Sequence, residues 1–88
     1  MGRYRIILRK SVAKDLKGIP KRGANRIVAA IKSLGEDPRP PGAKKLSGQE
    51  RYRIRQGNFR ILYAIEDDVL IITVVRVRHR REVYRSRS

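Results

Sequence analysis

Apolar and polar positions change their spacing several times along the 88 residues, and each change marks an element. Tyr4 to Leu8 is a short, mostly apolar run and predicts a strand. Val12, Leu16 and Ile19 then recur at i, i+4 and i+7, the spacing of one helix face, with Ser11 as the expected N-cap. Gly18 and Pro20 stop this helix, because the residue before a proline is disfavoured in the helical region. Ala24, Ile27, Val28, Ile31 and Leu34 form a longer stripe, predicting a second helix from Lys21 to Leu34 that ends at Gly35. Arg22, Arg26 and Lys32 lie on its other face and read as a solvated surface. Pro38, Pro40 and Pro41, with two glycines, make Glu36 to Gly48 a connecting loop.

From Arg51 the period becomes two. The run RYRIRQGNFRILYAI places two strands around Gly57-Asn58, a dipeptide suited to a two-residue hairpin turn. That turn sets Gln56 against Phe59, Arg55 against Arg60, Ile54 against Ile61 and Tyr52 against Tyr63. Tyr52, Ile54, Ile61, Tyr63 and Ile65 then share one face, and Arg51, Arg53, Arg55 and Arg60 share the other. Val69 to Arg78 is apolar on both faces and reads as an interior strand, flanked by the second hairpin strand and the N-terminal strand. A three-residue loop at Glu66-Asp67-Asp68 is expected, pairing Ile65 with Val69. The two-residue alternative would bury Arg76 and Arg78 under the helices, which is costly for unpaired guanidinium groups. With the longer loop, both join the arginine face. The expected fold class is α+β in the order β-α-α-β-β-β, with two helices on one face of a mainly antiparallel sheet. A single domain over residues 1–88 is expected, with 85–88 as a disordered tail.

Charge changes the picture more than size does. The chain carries 23 Lys+Arg against 8 Asp+Glu, a formal net charge of +15, which points first to a nucleic-acid partner. All seven lysines lie at or before Lys45, and from Arg51 onward there are ten arginines and no lysine. Arginine grips phosphate through a planar fork. Like charges facing each other destabilise a sheet, so Arg55 opposite Arg60 calls for a bound polyanion. The absence of cysteine excludes disulfides and thiolate chemistry and fits a cytoplasmic protein. No cofactor and no metal site is expected from one His without an acidic cluster, and no membrane segment is expected.

Read together, KKLSGQERYRIRQGNFRILYAI and the terminal VVRVRHRREVYR resemble the RelE/ParE superfamily of toxins from toxin–antitoxin pairs. The resemblance spans nearly the whole chain. Its RelE branch implies a ribosome-dependent endoribonuclease that cuts mRNA in the A site. The ribose 2′-hydroxyl attacks the adjacent phosphate, leaving a 2′,3′-cyclic phosphate and a 5′-hydroxyl. Carried over by position, the resemblance assigns Arg53, Arg55, Arg60, Arg78, His79 and Tyr84 to the catalytic site. The best-known member has lysines where Arg53 and Arg55 stand. Arginine effectively cannot shed its proton, so these two suit charge stabilisation, and either Tyr84 or His79 is left as the general base.

Lys44, Lys45, Arg51, Arg76, Arg80, Arg81 and Arg85 are expected to contact RNA or ribosome. The implied partners are the ribosome with its mRNA and a RelB-like antitoxin, whose acidic and apolar extended segment would wrap the basic sheet in a hetero-oligomer. Two other functions stay open. One is a ParE-like protein that inhibits DNA gyrase without cutting RNA. The other is a non-catalytic nucleic-acid-binding module with steep salt dependence.

Overall fold

Seven elements follow one another: β1 (Arg5–Leu8), α1 (Lys10–Lys17), α2 (Lys21–Leu34), β2 (Lys44–Lys45), β3 (Arg51–Gln56), β4 (Phe59–Glu66) and β5 (Ile71–His79). The computed structural model describes residues 3–46 and 51–79. The sheet runs in the order β1-β5-β4-β3-β2, with β1 parallel to β5 and the other pairs antiparallel. β5 is interior, as its two apolar faces require. The α+β architecture with both helices on one sheet face holds, and it gains one short edge strand.

That strand is Lys44–Lys45, which pairs with Arg53 and Tyr52. It had read as loop because two lysines carry no apolar alternation. Pairing with the β3 backbone decides it instead, and Leu46 N–H continues the ladder to the Arg51 carbonyl at 2.7 Å.

The helix-covered face holds the core. Val12, Ile27, Ile31 and Leu34 from the helices meet Tyr52, Ile54, Ile61, Tyr63 and Ile65 from the hairpin and Ile72, Val74 and Val77 from β5. Ala24 and Val28 of the expected stripe are only partly buried. Arg22, Arg26 and Lys32 are exposed, as a solvated face should be. The N-cap of α1 is Arg9, not Ser11. Ser11 lies in the first turn and donates its hydroxyl to the Val75 carbonyl at 2.7 Å, a tertiary bond in place of the local cap. Gly35 closes α2 in a right-handed conformation. Glycine is needed there for space, since a Cβ would lie 3.2 Å from the Tyr4 carbonyl oxygen.

The hairpin pairs as its alternation dictates, Arg55 with Arg60 and Tyr52 with Tyr63. Gly57 takes φ +59 at the first turn position, which a side-chain-bearing residue adopts only with strain. The β4–β5 connection corrects the expected register. Glu66 pairs with Ile71, so the loop has four residues, Asp67 to Leu70, with Leu70 at φ +55. Val69 and Leu70 are exposed outside the strand. The strand begins at Ile71 because β1 pairs there, and Arg5 N–H reaches the Leu70 carbonyl at 2.8 Å. Continued unbroken, this register would carry Arg76 and Arg78 under the helices. A β-bulge at Val75 reverses the alternation, so that Leu62 pairs with Arg76, Ile61 with Val77 and Arg60 with Arg78. The arginines reach the open face by a bulge, not by loop length.

A polar latch holds this loop. Arg39 Nη2 lies 2.9 Å from Asp67 Oδ2, and Tyr4 donates its hydroxyl to Asp67 Oδ1 at 2.7 Å. Arg39 also donates from Nε to the Tyr52 hydroxyl and lies over that ring, 5.1 Å from its centroid. The Arg39 hydrogen bonds, followed by that of Tyr4, hold the Asp67 carboxyl below its usual range. A depressed folded-state pKa stabilises the fold above the unfolded value of about 4, and the gain is lost as pH falls through the folded value. Arg39→Ala should therefore lower Tm at neutral pH, with the gap to the parent closing below about pH 4. Thermal unfolding from pH 7 to pH 3 checks this; a gap that stays constant would assign Arg39 to packing on Tyr52 alone.

Candidate nucleic-acid interface

The face of the sheet away from the helices carries the charge. Strand alternation puts Arg51, Arg53 and Arg55 on it from β3, Arg60 from β4 and Arg78 from β5, with Lys44 beside Arg53. Register then does something composition could not specify. Arg55, Arg60 and Arg78 stand opposite one another on three adjacent strands, one continuous row across the sheet. Directly opposed side chains have Cβ atoms roughly 5 Å apart, so three like charges are held at close quarters. Arg53 lies one step further along β3. Burial, followed by the Arg55 and Arg60 charges, holds its guanidinium below the ordinary arginine value. Its Nε is buried with no hydrogen-bond partner among the described residues.

Beside Arg53 lies a cleft of about 350 Å³ between the Pro40-Pro41-Gly42 turn, Lys44 and Arg55. Arg53 lines this cleft, and an unpaired buried donor such as its Nε suits anion oxygens. The turn's contribution was not legible in the sequence, since proline and glycine marked it only as loop. Farther along the same face Leu62, Ala64, Thr73, Ile71 and Ile7 are interleaved with Arg51, Glu66 and Arg5. The open face is therefore densely cationic at the hairpin end and mixed, with more apolar positions, at the other.

Two expected site residues fall elsewhere. Arg76 turns toward α1, where Nε donates to Asp15 Oδ2 at 3.1 Å. The expected arginine face therefore has one member, Arg76, tied to a helix carboxylate. His79 pairs with Phe59 and lies on the helix side of the sheet, meeting that ring edge-on at 4.9 Å between centroids. It lines a second cleft, of about 720 Å³, with Ile19, Phe59 and Val77 on its apolar side and Arg22 and Arg26 among its basic residues. His79 and the arginine row are on opposite faces. Tyr84, Arg80, Arg81 and Arg85 lie outside the described residues. Lys45 and Arg51 border β2 and β3 at the sheet edge.

Asp15 itself was passed over in the sequence. Its signal was that it is the sole acidic residue between Arg3 and Leu34, one helical turn after Ser11. Among the described residues no group of three His, Cys, Asp or Glu side chains could hold a metal ion. No helix there is long and apolar enough to cross a membrane.

Comparison with known proteins agrees with this geometry. The model of the ParE toxin family, described as the ParE toxin of the type II toxin–antitoxin system parDE, matches residues 6–84. A candidate toxin of Methanocaldococcus jannaschii, RelE1, is 30% identical over 96% of this chain and 98% of its own length. Toxin RelG of Mycobacterium tuberculosis is 29% identical over 93% of this chain and 97% of its own. Among solved structures, the archaeal RelE–RelB complex of Pyrococcus horikoshii contains a chain of TM-score 0.80 and 27% identity, covering 89% of this chain and 96% of that one. The element order, the hairpin motif and these matches have one explanation: the chain belongs to the RelE/ParE superfamily of toxins from type II toxin–antitoxin systems.

Proposed function

We propose that this toxin is an endoribonuclease that cuts mRNA in the ribosomal A site. The observation that carries the reading is the Arg55–Arg60–Arg78 row, with Arg53 adjoining it. Opposed cations weaken strand pairing, and a phosphate passing to a doubly charged phosphorane offsets that repulsion more than any neutral ligand. In the reaction the ribose 2′-oxygen forms a bond to phosphorus as the bond to the 5′-oxygen breaks. The 2′-hydroxyl gives up its proton to a base, and the departing 5′-oxygen takes one from solvent. The arginines stabilise the charge that develops on the phosphoryl oxygens.

Arginine cannot serve as the base, and His79 faces away from the row. We assign the base to Tyr84, the position that the family resemblance implies; a phenol beside guanidinium charges is acidified. Tyr84→Phe should lower cleavage far more than ribosome affinity. Equal losses in both would make Tyr84 a docking residue.

The partner that restrains the toxin is a RelB-like antitoxin, as in the RelE–RelB complexes among the structural neighbours. Its acidic stretch suits the hairpin end of the open face and its apolar stretch suits Leu62, Ala64 and Ile71. The deciding experiment is primer extension on a short mRNA, with toxin added to purified ribosomes holding an empty A site. A discrete cut within the A-site codon, dependent on ribosomes, supports the nuclease. The match to the ParE model favours a second reading, binding without cleavage. Intact mRNA together with inhibited gyrase supercoiling would put that reading in its place.

A further inference from the structure

β1 shields the edge of β5 only as far as Val74, its partner being Leu8. Past that point the strand continues to His79, and it contains both the bulge and Arg78. An uncovered edge with an extra residue has every opportunity to slip register.

The described structure covers it with one face of α1 and the residue that precedes it. Arg9 N–H donates to the Val74 carbonyl at 3.1 Å, and the Ser11 hydroxyl donates to the Val75 carbonyl at 2.7 Å. One turn later, Asp15 Oδ2 accepts from Val77 N–H at 2.9 Å and from Arg76 Nε at 3.1 Å. Residues i and i+4 share a helix face, so Ser11 and Asp15 together take the place of a neighbouring strand. The Asp15 side chain is only 14% exposed, against 43% for Arg76, so the carboxylate is the anchored partner of the pair.

These contacts bracket the bulge. Ser11 holds the bulged residue, and Asp15 holds the two that follow it. Immediately beyond stands Arg78, which reaches the open face beside Arg60 only because the bulge reversed the alternation. We infer that Asp15 is a positioning residue for the arginine row: by clamping Arg76 and Val77 it fixes the register that presents Arg78 next to Arg60. As far as catalysis is concerned, this rests on the nuclease reading above; the register itself does not. Asp15 has a second consequence. It neutralises Arg76, which would otherwise add a competing phosphate contact one step away from the row.

The test uses Asp15→Ala and Asp15→Asn in the full chain, by NMR and by single-turnover cleavage on ribosomes. Cross-strand contacts between Arg60 and Arg78 should weaken or vanish in Asp15→Ala, and the Val77 amide should exchange faster. The Asn variant should shift both in the same direction by less, since a neutral acceptor makes a weaker bond than a carboxylate. The catalytic rate should fall on the order of tenfold for the Ala variant with little change in KM, the mark of misplaced transition-state groups. In an Arg78→Ala background, adding Asp15→Ala should cause no further loss, because Asp15 acts through Arg78. A merely structural role would lower activity in both backgrounds alike.

Unchanged Arg60–Arg78 contacts in a folded variant overturn the inference, as do additive losses. Should the Ala variant not fold, the Asn variant decides, and unaltered exchange, contacts and rate overturn it there. Should the parent protein cut no RNA, the nuclease reading fails by itself, and the NMR contacts alone decide the role of Asp15.

Discussion

Arg60→Ala should reduce ribosome-dependent mRNA cleavage by about a hundredfold or more, the usual loss when one preorganised charge-stabilising group is removed. Arg60 is the middle member of the row, with Arg55 on one side and Arg78 on the other. It is therefore the guanidinium best placed to serve a phosphoryl group that both flanking arginines also reach. Removing it takes one of three like charges from the row and relieves repulsion on both sides. Thermal stability should consequently hold or rise slightly while activity collapses, a combination that distinguishes a site residue from a structural one. Arg60→Lys keeps the charge and loses the planar fork, so it should fall between the two. Primer extension alongside thermal unfolding measures both quantities. An unaltered cleavage rate would remove Arg60 from the site, and a parallel loss of Tm and activity would assign it to the fold.

The largest effect on stability is expected at Tyr63. Its ring is fully buried, stacks on Tyr52 at 5.9 Å between centroids, and donates its hydroxyl to the Pro38 carbonyl at 2.7 Å. Burial is the first cause that pushes its phenol up to about 12. Tyr63→Ala should cost about 3–5 kcal/mol, the range for emptying an aromatic position in a packed core. That is a large share of the total stability of a domain this small. Tyr63→Phe keeps the ring and takes the donor from the half-buried Pro38 carbonyl, and should cost about 1 kcal/mol. Urea unfolding of the two variants checks the ordering. If Phe is as damaging as Ala, the bond to the proline loop outweighs the packing.

Tyr52 and Tyr63 also show how much of the molecule was legible in the residue pattern. Both alternate with isoleucine on the hairpin strands, and both are in the core. The second helix, the Gly57 turn and the pairing of Arg55 with Arg60 follow from periods of 3.6 and 2 that short-range geometry enforces. The order of the strands followed as well, because an apolar run on both faces needs two neighbours. What pattern could not supply was parity along β5. The four-residue loop and the bulge at Val75 each reverse the alternation, and their effects cancel for Arg76 and Arg78. A right placement was thus expected for a reason that the structure replaces. His79 shows the same limit from the other side: the family motif sets it next to Arg78 in the chain, and alternation sends it to the opposite face.

By itself, then, the sequence determined six of the seven elements, most of the core and the charge of one sheet face, which rest on local periodicity and residue chemistry, and its motifs carried the resemblance to the toxin family. Tertiary structure alone decided that Arg78 stands in one row with Arg55 and Arg60, that Arg76 is withheld by Asp15, and that the Lys44–Lys45 segment pairs as a strand. Those outcomes depend on contacts between separate segments, from the pairing of Lys44 with Arg53 to the Asp15 carboxylate on the Val77 N–H, 62 residues apart in the chain. Periodicity describes one segment at a time and contains no term for such contacts.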